Sequence, residues 1–292
     1  MLKLREGIVE LYKKVATAIP SDVEEALKKA FEAETAPRIR ESLSKILREI
    51  SSSRTAARPL CLDTGIPFFF VWVPRGLSQQ QVREDIVEAT RIATKKVPLS
   101  PNAVDMLSGV NSGDNTGHYF PLIHIEETDK NSLTIDLMLQ GSECENLGSI
   151  YKLPTSFVAD KGGAGERREI TAERDFAGVK RCVLDAVGKA KGRGCPPYTI
   201  GIAIGGARDQ VAYLSRRQLC GRINVPNPEE RLATLEADIM QEVNEYGRTA
   251  DGLFRNVTAL GVRVAVAHRH PQTYFVDISF SCWANRKARL IW

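Results

Sequence analysis

Tyr198-Thr199-Ile200-Gly201-Ile202-Ala203-Ile204-Gly205-Gly206 is the stretch whose reading decides the fold. Its β-branched, unbroken apolar run predicts a buried strand over Tyr198–Ile204. The glycine pair ends that strand, and an amphipathic helix is expected to begin at once. A strand–Gly–Gly–helix turn can aim backbone N–H groups at an anion. It can equally be a tight turn that only glycine accommodates. Upstream, a helix is expected over about Ala172–Lys191. Downstream, Asn227-Pro228-Glu229-Glu230 starts another, with Asn227 as N-cap and Pro228 at the first helical position. That helix is expected to end at Gly247, and strands follow at about Val262–Ala267 and Tyr274–Phe280. Strands and helices interleave, so the fold class is mixed α/β.

Further out, Phe68–Val73 reads as a buried strand, and Ser78 caps a helix to about Lys96. Strands are expected near Tyr119–Glu126 and Leu133–Leu139, and Lys161–Gly165 reads as a loop. The first fifty residues read as helices, with a start signal at Ser21 and another helix from Pro37. Ser51–Pro59 reads as a loop. The expected organisation is a helical segment, 1–58, ahead of an α/β region, 59–292.

The 292 residues are 43% hydrophobic and 26% charged, which excludes a disordered chain. No apolar run approaches the ~20 residues that span a bilayer. The charged start argues against a signal peptide, so a cytoplasmic protein without a membrane partner is expected. The net charge of +4 is spread out, which argues against a nucleic-acid partner. The one basic cluster, Asn285–Arg289, reads as a solvated tail or a subunit contact.

Six cysteines form no CxxC pair. A long chain without a secretory signal makes a disulfide framework a poor reading. Cys182 and Cys220 fall in predicted helices, where a small buried thiol is ordinary. Cys61, Cys195 and Cys282 fall in loops beside strands. Such thiols serve as structural groups, as a nucleophile, or as ligands of a metal assembled from distant positions. Asn111-Ser112-Gly113-Asp114-Asn115-Thr116-Gly117-His118 is either a solvated loop with Asx-turns or a polar wall for an oxygen-rich ligand. His118, His124, His268 and His270 read as structural or as bases.

Ordered motifs add a resemblance. Pro59-Leu60-Cys61-Leu62-Asp63-Thr64-Gly65, Pro101-Asn102-Ala103-Val104 with Asn111–Gly117, Cys195-Pro196-Pro197 with Gly205-Gly206, and Arg269-His270-Pro271 with Cys282-Trp283-Ala284 and Arg286 resemble the iron–sulfur hydro-lyases. The resemblance is to the alpha subunit of class I fumarate hydratases and L(+)-tartrate dehydratases. It implies a [4Fe–4S] cluster on Cys61, Cys195 and Cys282, with one iron left open as a Lewis acid. It implies reversible hydration of a small hydroxy acid, with Asp63 as the catalytic residue. Leu62, Thr64, Ser100, Asn111, Asp114, Asn115, Thr116 and Glu143 are the implied substrate shell. The implied partners are a beta-type subunit and a second alpha chain, giving two alpha and two beta chains. The alternative is a non-catalytic cluster scaffold or sensor.

The chain also departs from that pattern. Leu62 stands for a glutamine, Ser100 for an arginine, and Glu143 for a glycine. Gly247–Gly252 replaces a Gly-rich segment. The ligand cysteines are kept while dicarboxylate contacts are lost, which implies an altered substrate.

Overall fold

The computed structural model describes residues 2–97, 99–160, 167–249 and 257–292. In chain order the elements are α1 (Leu2–Thr17), α2 (Ser21–Ala33), α3 (Pro37–Ala56), β1 (Ile66–Pro74), α4 (Gln79–Lys96), β2 (Leu122–Thr128), β3 (Thr134–Gln140), α5 (Ser142–Leu147), β4 (Ser149–Lys152), β5 (Thr155–Asp160), β6 (Arg167–Ala172), α6 (Phe176–Ala190), β7 (Tyr198–Gly205), α7 (Arg208–Gln218), α8 (Glu230–Thr249), β8 (Ala259–Ala267), β9 (Phe275–Ser281) and β10 (Lys287–Ile291). The class is mixed α/β, as the interleaved pattern predicts. Two compact units interleave along the chain. The first holds Met1–Pro20, Arg48–Ser142 and Ala284–Trp292; the second holds Ser21–Leu47 and Glu143–Trp283.

The first unit is built on a sheet of order β10-β3-β1-β2. β1 runs parallel to β2, with Phe70 opposite His124, and antiparallel to β3, with Phe70 opposite Asp136. Alternate residues Phe69, Val71 and Val73 of β1 join Ile135, Leu137 and Leu139 of β3 in one core. Helix α1 reaches the same core with Leu4, Ile8, Leu11 and Val15, the spacing of one helical face. Helix α4 adds Val82, Ile86, Ala89 and Ala93. Each large side chain buried there contributes about 1.5–3 kcal/mol. Two polar contacts tie α1 to α4: buried Tyr12 Oη meets Thr90 Oγ1 at 2.8 Å, and half-buried Arg5 donates through Nε to buried Asp85 Oδ1 at 2.6 Å.

The second unit has a sheet of order β4-β9-β7-β8 and a separate β5–β6 hairpin. Every residue of β7 is buried. Ile200, Ile202 and Ile204 face α6 and α8 through Val179, Val183, Leu235 and Ile239. On the other face, Gly201 lets α7 approach. A Cβ there would stand 2.1 Å from the Ser215 carbonyl oxygen. Gly205 (φ +90°) and Gly206 (φ +67°) lie against β8 and the residue after it, and the Gly206 N–H donates to the His268 carbonyl at 3.2 Å. That amide is therefore engaged within the fold, as a tight turn requires.

Several expectations shift. Helix α3 continues to Ala56 through the expected Ser51–Pro59 loop. Thr55 Oγ1 donates to the Ser51 carbonyl, and buried Ser53 donates to Glu49, so the hydroxyls fold onto their own helix. Ala172 ends strand β6, and the next helix starts at Phe176 under an Asp175 N-cap whose carboxylate accepts the Gly178 N–H at 2.6 Å. Helix α8 begins at Glu230 rather than Pro228 and passes through Gly247. Cys220 lies beyond the end of α7. The basic C-terminus is strand β10, where Arg289 forks onto Asp136 of β3 at 2.6 and 2.7 Å. The expected loop at Lys161–Gly165 and the second half of Gly247–Gly252 lie outside the described residues. Among the described residues no helix is long and apolar enough to cross a membrane.

Candidate functional site

In the first unit the Cys61–Gly65 turn precedes β1. Cys61 is exposed and Leu62 is 97% exposed. Asp63 shapes the turn. Its Oδ1 accepts the Gly65 N–H at 2.9 Å, and its Oδ2 accepts the Ser142 N–H at 2.7 Å and the Ser142 hydroxyl at 3.0 Å. Gly65 adopts φ +88°, and a Cβ there would stand 2.8 Å from the Gln140 carbonyl and 3.0 Å from Arg286 Nη2. Glycine is required on both counts.

The Ser100–Asn102 segment is sewn to that turn. Buried Thr64 accepts the Ser100 N–H at 3.0 Å, and Asn102 Nδ2 donates to the Gly65 carbonyl at 3.0 Å. Asn115, 2% exposed, accepts the Asn102 N–H and donates to the Ser100 carbonyl, both at 3.0 Å. Asn111 accepts from Gly113 N–H at 2.8 Å and donates to the Pro101 carbonyl at 3.0 Å. Asp114 accepts from both the Thr116 N–H at 2.8 Å and its hydroxyl at 2.7 Å. Burial opposes ionisation of Asp114, but Thr116, Ser112 and Arg91 together hold its carboxyl below the usual range. The expected polar wall is thus a set of Asx-turns that bond to each other and to the Cys61 turn. Thr64, Ser100, Asn111, Asp114, Asn115 and Thr116 act there as its framework.

Arg286 joins this cluster, although the sequence reads it as part of a solvated basic tail or a subunit contact. It is 2% exposed, and its Nη1 is buried without a hydrogen-bond partner. The signal available in the sequence was its place in the motif around Cys282 that carries the resemblance. His124 stacks on Phe70 at 5.4 Å, and His118 packs on Tyr119 at 4.1 Å, so both histidines have packing roles.

In the second unit Cys195 is exposed and has φ +56°, unusual for a residue with a Cβ. Gly194 before it has φ +73°, and the Pro196–Pro197 peptide after it is cis. The turn is held from several sides. Glu143 Oε2 accepts the Gly194 N–H at 3.2 Å, and the Cys144 thiol donates to the Gly194 carbonyl at 3.1 Å. The Trp283 N–H donates to the Cys195 carbonyl at 3.1 Å, which ties the Cys195 turn to the residue after Cys282. Cys282 is half-buried against the core. Cys182 lies inside that core; burial first, and the nearby Asp185 charge second, push its thiol up to about 12. Near the turn's other end, burial raises the Tyr198 hydroxyl above its usual range.

Within one unit, Glu143 and the residue after Cys282 therefore bond to the Gly194–Cys195 turn, while Cys61, Asp63 and the remaining expected residues lie in the other. Among the described residues, neither unit by itself gathers three His, Cys, Asp or Glu side chains able to hold a metal ion. No disulfide is recorded among the six cysteines. His270 accepts the Gln272 N–H through Nδ1 at 3.1 Å, on an exposed turn.

Cys61 and the dense Asn/Asp/Thr loop thus share one unit, and Cys195 and Cys282 share the other. The chain belongs to the family described as fumarate hydratase (Fumerase), which it matches over residues 5–291. Among curated relatives, a Geobacillus stearothermophilus protein assigned as a class I fumarate hydratase is 38% identical over 288 residues, covering 98% of this chain and 54% of the relative. A Methanocaldococcus jannaschii protein assigned as L(+)-tartrate dehydratase subunit alpha is 30% identical over 292 residues, covering 98% and 96%. The L(+)-tartrate dehydratase subunit alpha of Escherichia coli K12 is 28% identical over 291 residues, covering 99% and 90%. The chain thus spans about half the length of the first of these and nearly all of the other two.

Proposed function

We propose that this chain is the cluster-bearing subunit of a hydro-lyase that adds or removes water at a small hydroxy acid. The observation that carries the reading is the Trp283–Cys195 backbone bond, which holds the Cys195 and Cys282 loops together. The proposed ligands of a [4Fe–4S] cluster are Cys61, Cys195 and Cys282. The donor set suits the group. All three are loop thiols outside the strand ladders, and thiolates are the ordinary ligands of such clusters. Cys182 fails the same test, because its burial disfavours the thiolate.

When bound on three cysteines, the cluster supplies a Lewis acid for the substrate hydroxyl and a neighbouring carboxylate oxygen. The chain's own residues do the positioning. Asp63, its two oxygens fixed by three N–H and O–H donors, keeps acceptor capacity for the hydroxyl side of the substrate. The Asn111–Thr116 turns hold the wall beside it rigid, so little ordering remains to be done on binding. Leu62 adds an apolar side to that wall. The beta-type subunit belongs to the same proposal. The relatives named subunit alpha, and the longer Geobacillus relative, support a second component carried on another chain or domain. A cytoplasmic setting, where thiols stay reduced, completes it.

The test is anaerobic reconstitution of the full chain, followed by iron analysis and a hydratase assay with its partner. About four iron per chain and alkene formation are expected. A chain that stays colourless and iron-free under strict anaerobiosis refutes the reading.

A further inference from the structure

Arg286 is a buried cation to which the fold gives no anion. Its residue exposure is 2%, and its Nη1 is enclosed without an acceptor. No ion pair joins it to any described carboxylate. The contrast with Arg289, three residues on, is direct, since Arg289 forks onto Asp136. A guanidinium removed from water without a counter-charge destabilises the folded chain, and removing one partner of a buried pair leaves such a group behind. The fold nevertheless makes room for it. The Gly65 position lacks the Cβ that would crowd Nη2 at 3.0 Å. The nearby acid, Asp63, directs its oxygens to Gly65 and Ser142 instead. Arg286 therefore lies against the Cys61–Gly65 turn with donor capacity unused, in the unit where Ser100 replaces the expected arginine.

We propose that Arg286 is a specificity-determining residue that receives a carboxylate of the substrate. The fork of a guanidinium matches a carboxylate's two oxygens, and a charge-paired contact of this kind is strong in a water-poor site. The inference rests on the hydro-lyase reading for the substrate's class, but its test reads binding rather than turnover. It also revises the expectation that this side of the site has lost its cation.

The experiment measures melting temperature of the full-length, anaerobically reconstituted chain with and without L-tartrate, L-malate or lactate. Sulfate at matched ionic strength is the control. The wild type should melt higher with at least one hydroxy acid and not with sulfate. Arg286→Met should melt no lower than the wild type without ligand, since an uncompensated charge is replaced by an apolar chain. Its hydroxy-acid affinity should fall about 30-fold or more. Arg286→Lys, which keeps the charge but not the fork, should fall between. The iron content of both variants should equal the wild type's.

A full ligand response in Arg286→Met overturns the inference, as does a wild type that responds to none of the acids or equally to sulfate. A ligand-free Arg286→Met that melts lower overturns it too, because the guanidinium would then be structural. So does iron loss in that variant, which would assign the donor to the cluster. A chain that binds a hydroxy acid through Arg286 yet forms no alkene leaves this inference standing and sinks the hydro-lyase reading.

Discussion

Single residues separate the thiols by chemistry. Cys182 is buried with its thiol pushed up to about 12, so it is scarcely ionised at pH 8, whereas Cys61 and Cys195 are exposed. A brief alkylation of the iron-free chain at pH 8, read by peptide mass, should label Cys61 and Cys195 and spare Cys182. Labelling of Cys182 at their rate would contradict its placement in the core. Replacing Cys61, Cys195 or Cys282 with alanine should each abolish iron retention, and Cys182→Ala should keep it. Gly65 is the other decisive residue. Gly65→Ala combines a positive φ with a backbone contact at 2.8 Å, and should cost about 1–3 kcal/mol in chemical denaturation. A variant as stable as the wild type would mean the turn relaxes freely.

At the scale of elements, α7 approaches β7 closely at Gly201. Gly201→Ala would place a methyl 2.1 Å from the Ser215 carbonyl oxygen, so helix and strand must part. A loss of about 1–3 kcal/mol is expected from such overpacking. Parting them would also disturb the buried group between α7 and β9. There Asp277 accepts from the Ser215 hydroxyl, and Ser215 meets Ser279 at 2.8 Å. Burial, the largest influence, raises the Asp277 carboxyl above its ordinary value, while Ser215, Arg216 and Ser279 pull it back. The folded chain then binds this proton more tightly than the unfolded chain. The contribution is most favourable below the unfolded carboxylate range and is lost as pH rises through the higher folded value. Asp277→Asn should remove that decline from a stability–pH profile, and an unchanged slope would show that Asp277 ionises as in water.

For the whole molecule, substrate preference is the sharpest expectation. Leu62, Ser100 and Glu143 replace an amide, a guanidinium and a small residue in the shell that the resemblance implies. One carboxylate of a dicarboxylate is then poorly matched, at about 2–5 kcal/mol for a lost charge-paired contact. Arg286 offers one cation, enough for a single carboxylate. The assembled enzyme should therefore turn over fumarate and L-tartrate well below the enzyme median of about 10 s⁻¹. A monocarboxylic 2-hydroxy acid should fare better. Ser100→Arg with Leu62→Gln should move preference toward fumarate or malate. Fumarate turnover of tens per second by the unmodified enzyme would show that the replaced shell does not set the substrate.

Local pattern alone determined much of this protein. The apolar run at Tyr198–Ile204, the Phe68–Val73 strand and the Ser78 cap each appear within a residue or two, because burial period and cap chemistry act over short stretches of chain. The three loop cysteines were separable from Cys182 for the same reason. Short strands carried no such signal. The β5–β6 hairpin and β10 were missed because a five- or six-residue polar segment becomes a strand only when a partner supplies its hydrogen bonds. Tertiary structure likewise decided the roles of polar groups. Asn115 and Glu143 bond to backbone groups that sequence does not place beside them, and Glu143 reaches Gly194 across 51 positions. Arg286 is the clearest case. A basic C-terminal cluster reads as solvated because charge favours water, and only the folded chain shows one of its guanidinium groups buried against Gly65 without a counter-charge.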